Sequence, residues 1–83
     1  MQPIFQDVLA LLDSVLGLQG RALSFDRSTP LLGAIAELDS MAVVALIGGL
    51  EDRFGISIND DAISGDTFAT VATLVDFVTE ELV

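Results

Sequence analysis

The sequence contains no cysteine and no histidine, and its three basic residues, Arg21, Arg27 and Arg53, leave no lysine. These gaps exclude most reaction chemistry. Without cysteine there is neither a disulfide nor a zinc–thiolate site. Without histidine or cysteine no Ser-His-Asp or Cys-His arrangement exists, and the missing lysine removes Schiff-base chemistry and the phosphate-binding lysine of nucleotide loops. Long uncharged runs are also absent. The longest, Ser40 to Leu50, falls far short of the roughly 20 residues a membrane helix needs. The start of the chain lacks the positive flank of a signal peptide, so a cytoplasmic protein with no membrane association is expected. Positive charge is scarce: thirteen acids against three arginines give a net charge of −10, and every charged residue after Arg53 is acidic. Such a surface repels phosphate backbones and anionic lipid, which excludes nucleic acid and points to partners with basic patches.

What remains is apolar. With 83 residues, 52% of them hydrophobic, and only two prolines, the chain is expected to be one small domain over residues 1–83 that folds alone as a monomer. A domain of this size buries only about 60–65% of the surface its unfolded chain exposes, leaving little room for an internal catalytic cleft.

Ile4, Val8, Leu11, Leu12 and Val15 recur at i, i+4, i+7, i+8 and i+11, which places them on one face of a first helix. Pro3 suits its first turn and Gly17 its close. From Gly17 to Leu38 no period is sustained. A loop this long needs a job, and Leu23, Phe25, Leu31, Leu32, Ile35 and Leu38 supply apolar anchors for docking it on the helices, with a short helical turn around Leu31. A second helix runs from about Asp39 to Phe54, burying Val43, Leu46, Ile47, Leu50 and Phe54, with Gly55 as its stop. Asn59, Asp60 and Asp61 read as the start of a very short helix ending by Gly65, and a last helix opens near Thr70 to bury Val71, Leu74, Val75, Val78 and Leu82. Only Ile56-Ser57-Ile58 alternates like a strand. The fold class is therefore all-α: a small bundle of three main helices plus one short helix, with a long ordered loop between the first two main helices.

Two acidic or hydroxyl pairs merit weighing. Asp60-Asp61 reads as a solvated helix start complementing the dipole, and its spacing misses the alternating acids of a calcium loop. Asp39-Ser40 reads as an N-cap followed by the first helical residue. A second reading stands beside it. Orphan N–H groups and the positive dipole end would favour an anion attached to the Ser40 oxygen. The other Asp-Ser, Asp13-Ser14, falls in the last turn of the first helix, where the dipole is negative. Ser40, Val44, Gly48 and Glu51 follow i, i+4, i+8 and i+11 with Met41 beside them, a small apolar stripe opposite the core face. It is either a surface for partner docking or a helix face covered by the long loop.

"TPLLGAIAELDSM" followed by "LEDRFGISINDD" resembles the acyl carrier protein family, which shows a Thr-Pro-Leu-type loop, an Asp-Ser-Leu at the start of its second helix and a Phe-Gly-Ile-x-Ile exit from it. In order, the resemblance covers nearly the whole chain. It implies that Ser40, flanked by Asp39 and Met41, carries 4′-phosphopantetheine installed from coenzyme A by a phosphopantetheinyl transferase. The thiol of that arm would hold an acyl or aminoacyl group as a thioester. The protein would then be a substrate of enzymes and not an enzyme, which agrees with a chain that holds no base to activate the serine. Partners implied are acyl-activating and acyl-transfer or condensing enzymes of fatty-acid or polyketide-like biosynthesis, with basic or apolar patches that meet Val44, Gly48, Glu51 and Asp52. The chain departs from the family pattern in three places: Ala34-Ile35-Ala36-Glu37-Leu38 lengthens the loop after Gly33, Met41 replaces the usual leucine, and Ala45 stands where many members carry an acid. The competing reading is an unmodified acidic module that binds a partner through Met41, Val44 and Gly48.

Overall fold

The computed structural model describes residues 4–82, so Pro3 lies outside the described residues. Helix α1 spans Ile4–Leu16 and buries Val8, Leu9, Leu11, Leu12 and Leu16. Gly17 ends it with φ 64, and the Leu18 N–H reaches back to the Asp13 carbonyl at 3.1 Å, the bond of a Schellman close that only a left-handed residue permits without strain. Helix α2, Ser40–Phe54, buries Leu46 and Leu50 and ends the same way at Gly55, with the Ile56 N–H on the Glu51 carbonyl at 3.2 Å. Helix α3, Val71–Leu82, buries Val71, Leu74, Val75 and Val78.

The apolar stripe of α3 continues to Leu82, but the core does not. Val78 is the last buried residue of that helix, and Leu82 is 38% exposed, contrary to its expected place in the core. The buried side chains form one cluster, completed by Leu18, Ala22, Leu31, Leu38, Ile58 and Phe68 from the connections. Val43, Ile47 and Phe54 of α2 pack against it half-buried. Helix α1 lies at its centre, touching both other main helices and the turn that follows it.

Between the main helices are two 3-10 turns. The short helix expected from Asn59 is one of them: Asp60–Ala62 is a single 3-10 turn that closes with the Ala62 N–H on the Asn59 carbonyl at 3.0 Å. The other, Arg21–Ser24, was not legible in the sequence, whereas the helical turn expected around Leu31 is present as a single turn, with the Ala34 and Ile35 N–H groups on the Leu31 carbonyl at 3.1 and 3.0 Å. The N–H side of this turn pairs with the approach to α3. Pro30 forms an isolated antiparallel bridge with Thr70, and the Leu31 and Leu32 N–H groups bond the carbonyls of Ala69 and Phe68, each at 2.9 Å. Leu31 is buried, while Leu32, already in the turn that follows, is exposed. Leu38 is buried and Phe25 and Ile35 half-buried, whereas Leu23 faces solvent beside the buried Ala22. No strand is present among the described residues.

Each arginine ties two segments together. Arg21 pairs with Glu37 at 2.6 Å, Arg27 with Asp76 at 3.0 Å and Arg53 with Asp7 at 3.1 Å. Asp26 organises the loop by itself. Its Oδ1 accepts the Ser28 N–H, the Ser28 hydroxyl and the Thr29 hydroxyl, while the Asp26 N–H donates back to Thr29 Oγ1. The Ser28 hydroxyl, followed by that of Thr29, holds the Asp26 carboxyl below the ordinary carboxylate range.

Asp26 yields a pH prediction. Its folded pKa is depressed, so the turn it organises is intact above the ordinary Asp value of about 3.9 and is lost only as pH falls through the lower folded value. The Ser28 amide resonance should titrate with a midpoint below about 3.9, and Asp26→Asn should remove the transition. A wild-type midpoint at or above 3.9 would contradict the hydrogen bonding described.

Gly48 and Gly49 yield a second. A Cβ on Gly48 meets nothing within 4 Å, whereas one on Gly49 meets Leu11 Cδ1 at 3.0 Å. Gly48→Ala should therefore gain up to about 1 kcal/mol from helix propensity. Gly49→Ala should be less stable than Gly48→Ala by about 1–3 kcal/mol, because the buried Leu11 must give way. Urea unfolding of both variants measures the difference.

Candidate functional site

Asp39 stands at the N-cap of α2 with extended backbone, φ −109 and ψ −174, and its Oδ1 accepts the Ala42 N–H at 2.8 Å. The Asp39 carbonyl takes the Val43 N–H at 2.9 Å, the first intrahelical bond. Ser40 is thus the first helical residue, exposed, and among the described residues no hydrogen bond holds its hydroxyl. Beside it Met41 is 79% exposed. The Ser40 and Met41 N–H groups likewise have no acceptor among the described residues, as expected of the first turn of a helix.

The start of α3 is built the opposite way. Its Val71 and Ala72 N–H groups donate to the loop carbonyls of Thr29 and Arg27 at 3.0 and 2.9 Å. Thr70 Oγ1 accepts the Thr73 N–H, and Thr73 Oγ1 accepts the Thr70 N–H, a reciprocal cap with threonine at both positions. The Leu74 N–H closes the set on the Thr70 carbonyl at 3.2 Å. One helix start is sealed by the protein and the other is left open to an anion.

The structure brings together most of the proposed stripe. Val44 is 69% exposed and Gly48 exposed with open space above it, so the long loop does not cover this face. Asp52 is exposed. Glu51 is half-buried, and its Oε2 accepts the Ile58 N–H at 2.8 Å, so this carboxylate is engaged with the chain leaving α2. Asp13 Oδ1 accepts the Gly20 and Ala22 N–H groups at 2.8 and 3.3 Å, so the other Asp-Ser pair serves the corner after α1. No group of three or more metal-ligating side chains occurs among the described residues.

Sequence reasoning missed Arg21 and Glu37. Both lie in the stretch without periodicity, and nothing in their spacing announces that they meet. The Glu37 carboxyl is held below its ordinary range, first by its own backbone N–H and then by the Arg21 guanidinium. The Thr70 cap was legible in principle, since Thr-x-x-Thr repeats the logic of a capping box.

The phosphopantetheine attachment site family model matches residues 6–78. Among solved structures the chain is similar to a holo acyl carrier protein from Nitrosomonas europaea determined in solution by NMR, with 43% sequence identity, 98% of each chain covered and a TM-score of 0.90. A match over that span, joined to the same helix order and a serine behind an N-cap aspartate at the open helix start, makes the chain a member of the phosphopantetheine-binding acyl carrier protein family.

Proposed function

We propose that this carrier holds its 4′-phosphopantetheine on Ser40, and that the single observation supporting the assignment is the contrast between the two helix starts. At α2 an exposed hydroxyl sits beside N–H groups, and among the described residues neither it nor they have a hydrogen-bond partner. A phosphodiester there would accept from those donors and meet the positive dipole end, roughly half a unit charge. Asp39 does not oppose this as a free anion would, because its carboxylate is turned back onto the Ala42 N–H. The thiol at the end of the arm supplies thioester chemistry for an acyl cargo. The chain's own residues place the arm: Asp39 fixes the helix start, Ser40 offers the oxygen, and the exposed Met41 flanks it.

Activation of Ser40 falls to a phosphopantetheinyl transferase, since this chain has no histidine, lysine or cysteine to take the proton and the neighbouring Asp39 carboxylate is turned onto the Ala42 N–H. In this reading the protein is a monomeric, cytoplasmic, single-domain substrate of enzymes, not itself an enzyme. Acyl-activating and acyl-transfer or condensing enzymes would dock on Met41, Val44 and Gly48, with Asp52 offering charge to a basic patch. Glu51 contributes less to docking because its carboxylate is engaged with Ile58. The small, apolar character of this face favours partners whose patches are as apolar as they are basic.

Intact-mass spectrometry after incubation with coenzyme A and a broad-specificity phosphopantetheinyl transferase tests the site. The wild type should gain one phosphopantetheine, and Ser40→Ala should gain none while its stability changes by no more than about 0.5 kcal/mol. Asp39→Ala should behave differently, losing about 1 kcal/mol because the Ala42 N–H is left without its cap. Loading that survives Ser40→Ala would move the arm to another hydroxyl. An unmodified wild type, under conditions that load a control carrier, would favour the interaction module.

A further inference from the structure

The segment that delivers Ser40 makes no backbone hydrogen bond to a distant element among the described residues. Up to Leu32 the loop is bonded to α3 and its approach by backbone hydrogen bonds. Beyond Leu32 the backbone bonds are local: Ala34 and Ile35 donate to the Leu31 carbonyl and Leu38 to that of Ile35. Beneath this segment lies an open cleft of about 420 Å³, walled by Leu18, Phe25, Ala34 and Ile35 among others, with Arg21 and Glu37 at its rim. Leu38 is buried, but Ala34, Ala36 and Glu37 are exposed. From Ala34 to Asp39, the polar tie to a distant element among the described residues is the 2.6 Å bond from Arg21 to Glu37 Oε2.

Arg21 is itself a fixed post. Its Nε donates to the Leu18 carbonyl at 3.3 Å, and the residues on either side of it, Gly20 and Ala22, have their N–H groups on Asp13 Oδ1. The guanidinium is thus referenced to the last turn of α1. Glu37 lies three residues before Ser40, so at most about 11 Å of extended chain separates their Cα atoms.

We propose that Arg21 and Glu37 are positioning residues that clamp the approach to α2, so that the Asp39–Ser40 start is presented to the transferase in a single arrangement. The inference rests on the assignment of Ser40 as the attachment site. An exposed pair does not hold the whole fold together, since such pairs contribute only modestly to stability. It can still set the fraction of molecules whose helix start is correctly placed, and a lower fraction raises the apparent dissociation constant in proportion.

The experiment compares Arg21→Gln, Glu37→Gln and the double variant with the wild type. Positioning predicts that KM for transferase loading rises about two- to fivefold in each, the range such a pair can transmit, with kcat unchanged. The double variant should be no worse than either single one, because the two side chains act as one contact. Net-charge steering predicts otherwise. Arg21→Gln and Glu37→Gln alter the charge in opposite senses, and the double variant restores it, so opposite shifts of KM that cancel in the double variant would overturn the proposal. A second readout needs no loading. In the unmodified protein, exchange of the Leu38 and Ala42 amides should quicken about two- to fivefold in all three variants, while buried α1 amides such as Leu12 stay unchanged. Unaltered exchange at Leu38 and Ala42 also overturns the clamp. If the wild type fails to load, the role of Ser40 falls, and the amide measurements still decide whether the pair holds the approach to α2.

Discussion

Backbone N–H groups at a helix start need acceptors, and in α3 two of them come from a part of the chain more than forty residues earlier, the carbonyls of Arg27 and Thr29. The same stretch receives as well as gives, since the Leu31 and Leu32 N–H groups bond Ala69 and Phe68. This pairing fixes the middle of the long loop across the end of the bundle, drives Leu31 into the core and seals the start of α3. The rest of the arrangement depends on it. With its middle held, the loop has only a short remaining span in which to turn and begin α2, so Ser40 emerges where the bundle leaves it exposed. Were the loop free, a stretch of this length would sample many paths and the helix start would have no fixed relation to the core.

Charge in this molecule works mainly through backbone groups. Asp13 satisfies Gly20 and Ala22, Asp39 satisfies Ala42, Glu51 satisfies Ile58, and Asp26 satisfies Ser28. A carboxylate that accepts N–H bonds at a cap or corner is stabilised where it stands, which lets a chain of net charge −10 place acids close to its own backbone without a matching number of cations. The three arginines are then available for long spans. Arg27 joins the loop to α3, Arg53 joins the end of α2 to α1, and Arg21 joins the two ends of the loop. The three guanidinium groups are exposed and screened by water, so their effect is on geometry more than on stability.

The helices were legible because their residues repeat every three or four positions and their ends carry glycine. Gly17 and Gly55 close α1 and α2 where the sequence places them, and Asp39 caps α2 as its side chain dictates. Ser40 could be singled out for the same reason, as a hydroxyl placed one residue inside a helix start. What could not be read was anything fixed by contact between distant residues. The pairing of Leu31 and Leu32 with the approach to α3 has no local signature, and Leu23 and Leu32 were assigned inward when each stands beside the residue that is buried. Leu82 continued the stripe of α3 beyond the end of the core. Glu51 lay on the exposed stripe by its spacing, but the chain leaving α2 turns back past it and takes its carboxylate as an acceptor. Periodicity reports which face of a helix a residue occupies. It does not report what the next connection will place against that face.

The starts of α2 and α3 are finished in opposite ways. Sealing α3 requires two loop carbonyls and a pair of threonines, all of which also serve the packing of the loop. Leaving α2 open requires only that the chain after Leu32 bring no further acceptors to Ser40 and Met41. An exposed N–H at a helix start is satisfied by water, so openness costs little in the unmodified protein. It becomes useful once an anion is attached to the neighbouring oxygen, because donors already oriented by the helix need no rearrangement to receive it. In the proposed reading, a chain without histidine, lysine or cysteine contributes orientation and leaves proton transfer to the enzyme that modifies it.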